Sequence, residues 1–236
     1  MEEIAFSMDE MTFSMDEIAF SVERIQCGAN NCYIVSQGGS AILVDTATTR
    51  YRGAILEKCR AKNVRIIVLT HGHYDHTQNA AWLAKQLGAP VAMGRADLPL
   101  LEDMPVPKAR TPMGRVMAAA MWLQVRPRLR GFFSRFNAVS AFEPDLFLAD
   151  GDSLAEYGVD AAVIALPGHT LGSVGLQAGD SGLIVGDALM NILRPQKALH
   201  YLDRTAMEQS AAKISGFGSG AAVYFGHGRP VINKEW

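Results

Sequence analysis

Val64-Arg65-Ile66-Ile67-Val68-Leu69-Thr70-His71-Gly72-His73-Tyr74-Asp75-His76 is the stretch on which the reading of this chain turns. Its first half, Val64 to Leu69, is largely apolar and reads as a buried strand that ends at a polar turn. The turn then packs three imidazoles and one carboxylate into the six residues from His71 to His76. A strand end is a rigid mount from which side chains can be aimed at one point. His and Asp supply the nitrogen and oxygen donors that zinc, iron and manganese accept. One ion does not easily use all four groups at this spacing, whereas two ions side by side can.

Working outward, the same design recurs. The chain has six histidines, His71, His73, His76, His169, His200 and His227. His169 follows the apolar run Ala161 to Leu166 in Leu-Pro-Gly-His-Thr, Asp187 follows Leu183 to Val185 in Gly-Asp, and His227 follows Ala221 to Phe225 in Gly-His-Gly. Gly and Pro beside each candidate let the backbone turn tightly and come close to a ligand. His200, in Lys197-Ala198-Leu199-His200-Tyr201, stands outside these motifs. It reads as a surface or core histidine, or at most as a lining of the substrate pocket.

In the order HxHxDH (His71, His73, Asp75, His76), PGHT (His169), GD (Asp187) and GHG (His227), the chain resembles the metallo-β-lactamase-fold hydrolase superfamily, in its glyoxalase II or lactonase-like branch. The resemblance runs from about Ile18 to the C-terminus. It implies an α/β fold, a four-layer αββα sandwich of two facing mixed sheets covered by helices. It also implies a first metal on His71, His73 and His169, a second on Asp75, His76 and His227, and Asp187 bridging the two. A water or hydroxide between two divalent ions would attack the substrate, because bound water is acidified from a pKa of about 15.7 to about 7 in favourable sites. Asp75 would orient that nucleophile, so it is the expected catalytic residue, and Asp45 would support the metal loops from behind. Zinc is the first expectation for both ions, with iron or manganese as alternatives.

Length and composition set the frame. At 236 residues, with 49% hydrophobic residues, the chain is long enough for one large domain with a sizeable core. A net charge of −2 gives no ground for a nucleic-acid partner. There is no apolar run of membrane-spanning length and no basic-then-apolar leader, so neither stable membrane insertion nor secretion is expected. Three cysteines, Cys27, Cys32 and Cys59, fit buried thiols in a reducing cytoplasmic setting.

Residues 1–17 are read as an N-terminal extension and residues 18–236 as the metallo-β-lactamase-fold domain. The extension belongs to a run of near-identical sevens, MEEIAFS, MDEMTFS and MDEIAFS. Read as a helix, the run has an a/d seam that leaves its phenylalanines aside; read as a strand, its odd period flips each copy to the other face. The third copy is expected to open the first strand, Ile18 to Ile25. Asn30 to Val35 and Ala41 to Val44 then read as a hairpin, Tyr51 to Lys62 and Asn79 to Leu87 as helices, and Thr205 to Ser215 as a helix capped by Asp203 or Thr205. Residues 104–142 form a basic, apolar insert with seven Lys or Arg and no Asp or Glu, expected as two helices broken near Arg126-Pro127. Three uses stay open for it: a solvated basic face, a lid that draws an anionic substrate into an apolar pocket, and a contact with a membrane surface or a second copy in a homodimer.

The functional expectation is a binuclear metal-dependent hydrolase that cleaves an ester, lactone, thioester or phosphodiester of a small molecule, anionic with an apolar part. His76 and Asp187 lower the case for antibiotic hydrolysis, because lactamases of the fold commonly replace the last histidine of the first motif or use a Cys ligand. Glutathione thioesterases carry a C-terminal helical domain, and this sequence runs nine residues past His227. The alternative is a mononuclear iron oxygenase of the persulfide-oxidising kind, which uses fewer ligands.

Overall fold

A computed structural model of the chain describes residues 20–102, 141–179 and 182–236, together with positions 105, 107–109, 111–112, 114–116 and 118–119. The repeated sevens of the extension and the helix break expected at Arg126-Pro127 lie outside the described residues. The division at residues 17 and 104–142 therefore stands as a proposal from the sequence.

Six strands build the first sheet: β1 (Ser21–Cys27), β2 (Asn30–Gln37), β3 (Ser40–Val44), β4 (Val64–Leu69), β5 (Val91–Gly94) and, beyond a two-residue β6 (Lys108–Ala109), β7 (Leu146–Leu148), in the order β1-β2-β3-β4-β5-β7. β1 to β3 form an antiparallel meander, and β3, β4, β5 and β7 run parallel. The second sheet has the order β15-β14-β10-β9-β8, from β8 (Ala161–Ala165), β9 (Val174–Ala178), β10 (Gly182–Gly186), β14 (Ala222–Phe225) and β15 (Val231–Ile232). Between β10 and β14 lie the short strands β11 (Leu189–Met190), β12 (Gln196–Lys197) and β13 (His200–Tyr201), where β11 pairs with β12 and β13 pairs back to β6.

Period-two alternation assigns the layers. On β3, Ala41 and Leu43 join the cluster under helices α1 (Arg52–Arg60) and α3 (Ala80–Leu87), while Ile42 and Val44 face the second sheet. β2 and β4 split the same way: Ile34 and Ile67 point outward, and Val35 and Val68 point between the sheets. On β10, Ile184 meets the first sheet, while Leu183 and Val185 pack under α4 (Arg204–Ser215). The result is the expected αββα sandwich. The central strands β3, β4 and β10 are buried on both faces along most of their length, which is why they read as nearly continuous apolar runs. Cys27, Cys32 and Cys59 are buried free thiols in the outer cluster of the first sheet.

Helix and turn ends follow local chemistry. Asp203 caps α4, its carboxylate accepting from Ala206 N at 3.0 Å. Gly88 closes α3 with a left-handed φ of 64°. α1 begins one residue later than expected, after a tight turn at Thr49–Tyr51. β1 is described from Ser21, and it runs on to Cys27, past the expected end at Ile25.

The parallel strands matter most for function. β3 and β4 point the same way, as do β8, β10 and β14, so their C-terminal ends gather at one edge of the sandwich. There Asp45 (φ 60°) and Ala47 (φ 51°) adopt left-handed backbone that non-glycine residues disfavour. Asn79 Nδ2 holds this loop, donating to the carbonyls of Thr46 (2.7 Å), Ala47 (3.2 Å) and Thr48 (2.8 Å).

Two glycines separate backbone strain from steric overlap. Gly39, in the β2–β3 turn, has φ 83° and open space around a hypothetical Cβ, whereas Gly168, one residue before His169, has φ 134° and a Cβ there would overlap the Met207 backbone of α4. Gly39→Ala should cost about 1 kcal/mol from backbone strain alone. Gly168→Ala should cost more, about 2–3 kcal/mol, by adding displacement of α4 or of the His169 loop. Urea midpoints of the two variants measure the difference, and equal midpoints would contradict the packing described.

Candidate metal centre

Each expected donor sits just past a strand end at that edge. His71 and His73 follow β4; Asp75 and His76 lie on the single helical turn α2 (Tyr74–Thr77); His169 follows β8; Asp187 follows β10; His227 follows β14. The fold brings all seven together. His71 Nε2 and His73 Nδ1 are 3.0 Å apart, and His73 Nδ1 and His169 Nε2 are 3.1 Å apart. An ion about 2.0–2.1 Å from three such nitrogens needs them roughly 3.4 Å from one another, so the spacing is close to a ready seat. Asp75, His76 and His227 form a second group, with Asp75 Oδ2 3.9 Å from His76 Nε2 and 3.7 Å from His227 Nε2. Asp187 Oδ2 lies between the groups, 3.7 Å from His169 Nε2, 3.8 Å from His76 Nε2 and 3.2 Å from His227 Nε2.

The far nitrogens of the rings are tied down. His76 Nδ1 lies 2.8 Å from Asp45 Oδ2, His169 Nδ1 donates to His200 O at 3.1 Å, and His227 Nδ1 donates to Ala29 O at 3.0 Å. Thr70 Oγ1 lies 2.8 Å from Asp45 Oδ2 and 3.0 Å from His71 Nδ1. The hydroxyl has one proton and the carboxylate has none, so Thr70 donates to Asp45 and His71 Nδ1–H donates to Thr70. In all four rings Nε2 is then the atom that faces the cluster, ready as a lone pair wherever the ring is neutral. Asn30 Nδ2 donates to Asp75 Oδ2 at 2.8 Å and to Asp75 O at 3.1 Å, which fixes the carboxylate from the β1–β2 loop.

Three supporting residues were not read from the sequence: Asn30, Thr70 and Asp97. Asp97 is fully buried and joins the two loops of the first group. Its Oδ2 accepts from Gly72 N at 2.8 Å and Thr170 Oγ1 at 2.6 Å, and its Oδ1 accepts from Gly172 N at 2.6 Å. Burial raises its carboxyl above the ordinary range, against the pull of these three donors. Thr70 had a visible signal, since it stands directly before the first histidine; Asp97 sits in an ordinary-looking helical turn.

Charge divides the two groups. Burial, reinforced by neighbouring imidazoles, holds His71 and His169 well below the usual histidine range, and burial lowers His73 to about 4. These three rings are neutral lone-pair donors at pH 7. Burial also disfavours protonated His76 and His227, but carboxylates reverse it. Asp45, Asp187 and Asp75 raise His76 to about 10, and Asp187 and Asp75 raise His227 to about 9. Burial disfavours the Asp187 carboxylate too, yet His227 and His76 hold its pKa well below the ordinary value.

The cluster fits divalent metal on observations other than its motif. Buried polar atoms are normally paired, yet His76 Nε2 and Asp187 Oδ1 are buried without a hydrogen-bond partner. Gly226 leaves the room they need, since a Cβ there would overlap Asp187 Oδ1. All donors are nitrogen or oxygen. Divalent metal bound here would satisfy the orphaned atoms and balance the carboxylates.

A four-layer α/β sandwich with a divalent-metal donor cluster at one sheet edge is the class that fold and site define. The family model described as Metallo-beta-lactamase superfamily matches residues 25–227, and the chain belongs to that superfamily. An uncharacterized protein of Aquifex aeolicus is 30% identical over 164 residues, covering 68% of this chain and 66% of that protein. A hydroxyacylglutathione hydrolase of Acidiphilium cryptum is 28% identical over 165 residues, covering 69% of this chain and 50% of its own length. The chain thus spans about half to two thirds of these relatives. Among solved structures, TTHA1623 in a di-iron-bound form superposes with a TM-score of 0.63 at 25% identity, covering 89% of this chain and 94% of that one. The BLEG-1 B3 metallo-beta-lactamase superposes at 0.66 with 20% identity, covering 90% and 94%, a likeness of fold.

Two outcomes follow from this geometry. Metal loading should release protons from His76 and His227, which hold them at pH 7, and none from His71, His73 and His169. Affinity at the second group should therefore weaken as pH falls from 9 to 6. Calorimetry in buffers of different ionisation heat measures this, and uptake without proton release would contradict the charge assignment. Asp97→Ala should lower affinity at the first group by about 10- to 100-fold, read by competition with a chromogenic chelator; an unchanged affinity would show that Asp97 does not position the histidine loops.

Proposed function

We propose that the chain is a binuclear metal-dependent hydrolase, with His71, His73 and His169 holding one ion, Asp75, His76 and His227 the other, and Asp187 shared. The observation that carries this reading is the central place of Asp187 Oδ2, within 3.8 Å of donors from both groups. When bound, the cations supply an acidified water and polarise the carbonyl or phosphoryl oxygen under attack. Zinc, iron and manganese all suit the donor set; the di-iron form of TTHA1623 supports iron as readily as zinc.

The chain's own residues do the positioning. Asp75 is the catalytic residue. His76 and His227 overcome its burial and keep it ionised, and Asn30 pins its Oδ2, so the carboxylate accepts a hydrogen bond from the attacking water and orients it. Asp45 and Asp97 brace the loop that carries the first-motif histidines, and Asp97 ties it to the His169 loop. No protein nucleophile is required.

Two clefts support a small substrate that is anionic with an apolar part. Beside the His227 loop, a cleft of about 230 Å³ is lined by Arg24, Asn31, Asn191 and Arg229, with no carboxylate among its lining residues. Beside the His169 loop, one of about 440 Å³ is lined mainly by apolar residues, among them Pro99, Leu100, Leu171 and Leu202, with Asp97 and Glu102 also on its wall. The names of the Acidiphilium and Cereibacter sphaeroides relatives, both hydroxyacylglutathione hydrolases, favour a thioester within the range of ester, lactone, thioester and phosphodiester. A mononuclear iron oxygenase would leave Asp75, His76 and His227 without a task. No helix among the described residues is long and apolar enough to cross a membrane, and three buried thiols suit a reducing cytoplasm. A homodimer through residues 104–142 stays part of the proposal.

Elemental analysis joined to a panel of chromogenic thioesters, esters, lactones and phosphodiesters tests the reading. Two ions per chain and turnover of one class are expected, with an acidic limb near neutrality in the pH–rate profile. Asp75→Asn should lower kcat by about 10³-fold with the circular dichroism of the fold unchanged; full activity in that variant would remove Asp75 from the mechanism.

A further inference from the structure

His200 is the one histidine left without a task, and its surroundings assign it one. It is 2% exposed, and neither Nδ1 nor Nε2 has a hydrogen-bond partner. Among the described residues, the other buried side-chain nitrogen in that condition is His76 Nε2, which belongs to the metal cluster. The His200 ring lies 4.6 Å from the His169 ring and 5.9 Å from the His73 ring, centroid to centroid. It thus stands beside the first donor group with two polar atoms that burial alone does not explain.

The chain delivers it there deliberately. After Asp187 the backbone turns out through β11 and β12 and comes back at β13, where His200 pairs with Ala109. The His200 carbonyl accepts from His169 Nδ1, so the strand is registered on a first-group ring. Gly114 packs so closely on Leu199 O that a Cβ would overlap it, and the root of the basic insert therefore covers this strand. His200 occupies the wall between that root and the donors. It is not one of the converging set, since the three nitrogens of the first group lie within 4.8 Å of one another and His200 is not in that group.

We propose that His200 is a substrate-binding residue, whose imidazole N–H donates a hydrogen bond to an oxygen of the carboxylate, phosphate or scissile group held at the His71–His73–His169 ion. This rests on the hydrolase reading. No hydrogen-bond acceptor among the described residues meets the ring, so an oxyanion oxygen is the partner its geometry suits. As an addition to the metals, it would hold the oxygen that gains charge during attack or remains charged in the product.

The test uses the metal-loaded full chain, with acetate and inorganic phosphate as probes, and His200→Phe, His200→Ala and His200→Gln as variants. Metal content should be the same in all four proteins. Probe affinity should fall roughly tenfold in the Phe and Ala variants, the worth of one hydrogen bond to a charged oxygen, and recover in part in Gln, which keeps an N–H donor. Acetate-selective loss would mark an acyl oxygen as the partner, and phosphate-selective loss a phosphoryl oxygen. Unchanged affinity in the Phe and Ala variants overturns the proposal, as does loss of one metal equivalent, which would make His200 a ligand. Should a variant fail to fold, ¹⁵N shifts of the His200 ring in the wild-type chain report the contact directly, and a ring that ignores saturating probe overturns it. A wild-type chain that holds no metal fails the hydrolase reading itself, an outcome distinct from metal-loaded variants that bind the probe normally.

Discussion

One buried carboxylate sets the geometry of the whole edge. Asp45 leaves β3 in a left-handed conformation and meets the end of the parallel neighbour β4, where it accepts from Thr70 N and Thr70 Oγ1 and pairs with His76 Nδ1. Its two oxygens therefore fix the start of the histidine loop, the tautomer of His71 through the Thr70 hydroxyl, and the direction of His76. Backbone strain at Asp45 and Ala47 is the cost of this placement, and the three carbonyl contacts of Asn79 offset it. Asp97 repeats the device on the other side, joining the Gly72 and Gly172 backbones with the Thr170 hydroxyl. The donors converge because two buried acids, neither a donor itself, leave the loops little freedom.

Electrostatics divides the labour between the two groups of donors. The three-histidine group is kept neutral by burial and is poised to give lone pairs. The second group sits among carboxylates, which overcome burial and keep its imidazoles protonated at pH 7, so that the buried charges balance. Such a cluster is costly unless compensated, because buried charge and orphaned polar atoms oppose folding. Its persistence beside otherwise well-paired strands is the physical mark of a functional site.

Much of this was legible in residues 64–76 and in three short motifs, because each donor follows an apolar strand directly and the strand tells where its end will be. A layered α/β fold was legible in the alternation of strands and helices, and its αββα arrangement came through the resemblance. The supporting residues were harder to see. Asp97 lies 25 residues from the glycine it holds, and no local pattern distinguishes it from a solvent-facing acid in a turn. His200 reads in the sequence as a surface or core histidine, or at most a pocket lining, because it reaches the donors only when β13 folds back against β6, a pairing of two residues per strand that leaves no periodic trace. Asp45 was read in its supporting role through resemblance; the left-handed backbone that lets it serve three partners became visible only in the fold.

The partition of donors between the sheets has a mechanical side. His71, His73, Asp75 and His76 come from the first sheet, whereas His169, Asp187 and His227 come from the second. Away from this edge, the two sheets cohere chiefly through the non-directional grip of interior side chains. Ions seated here would act as rivets through both plates, so that occupancy and conformational stability become one quantity seen from two sides. A chelator would then do more than silence chemistry: it would unfasten the seam along which the two halves of the molecule meet.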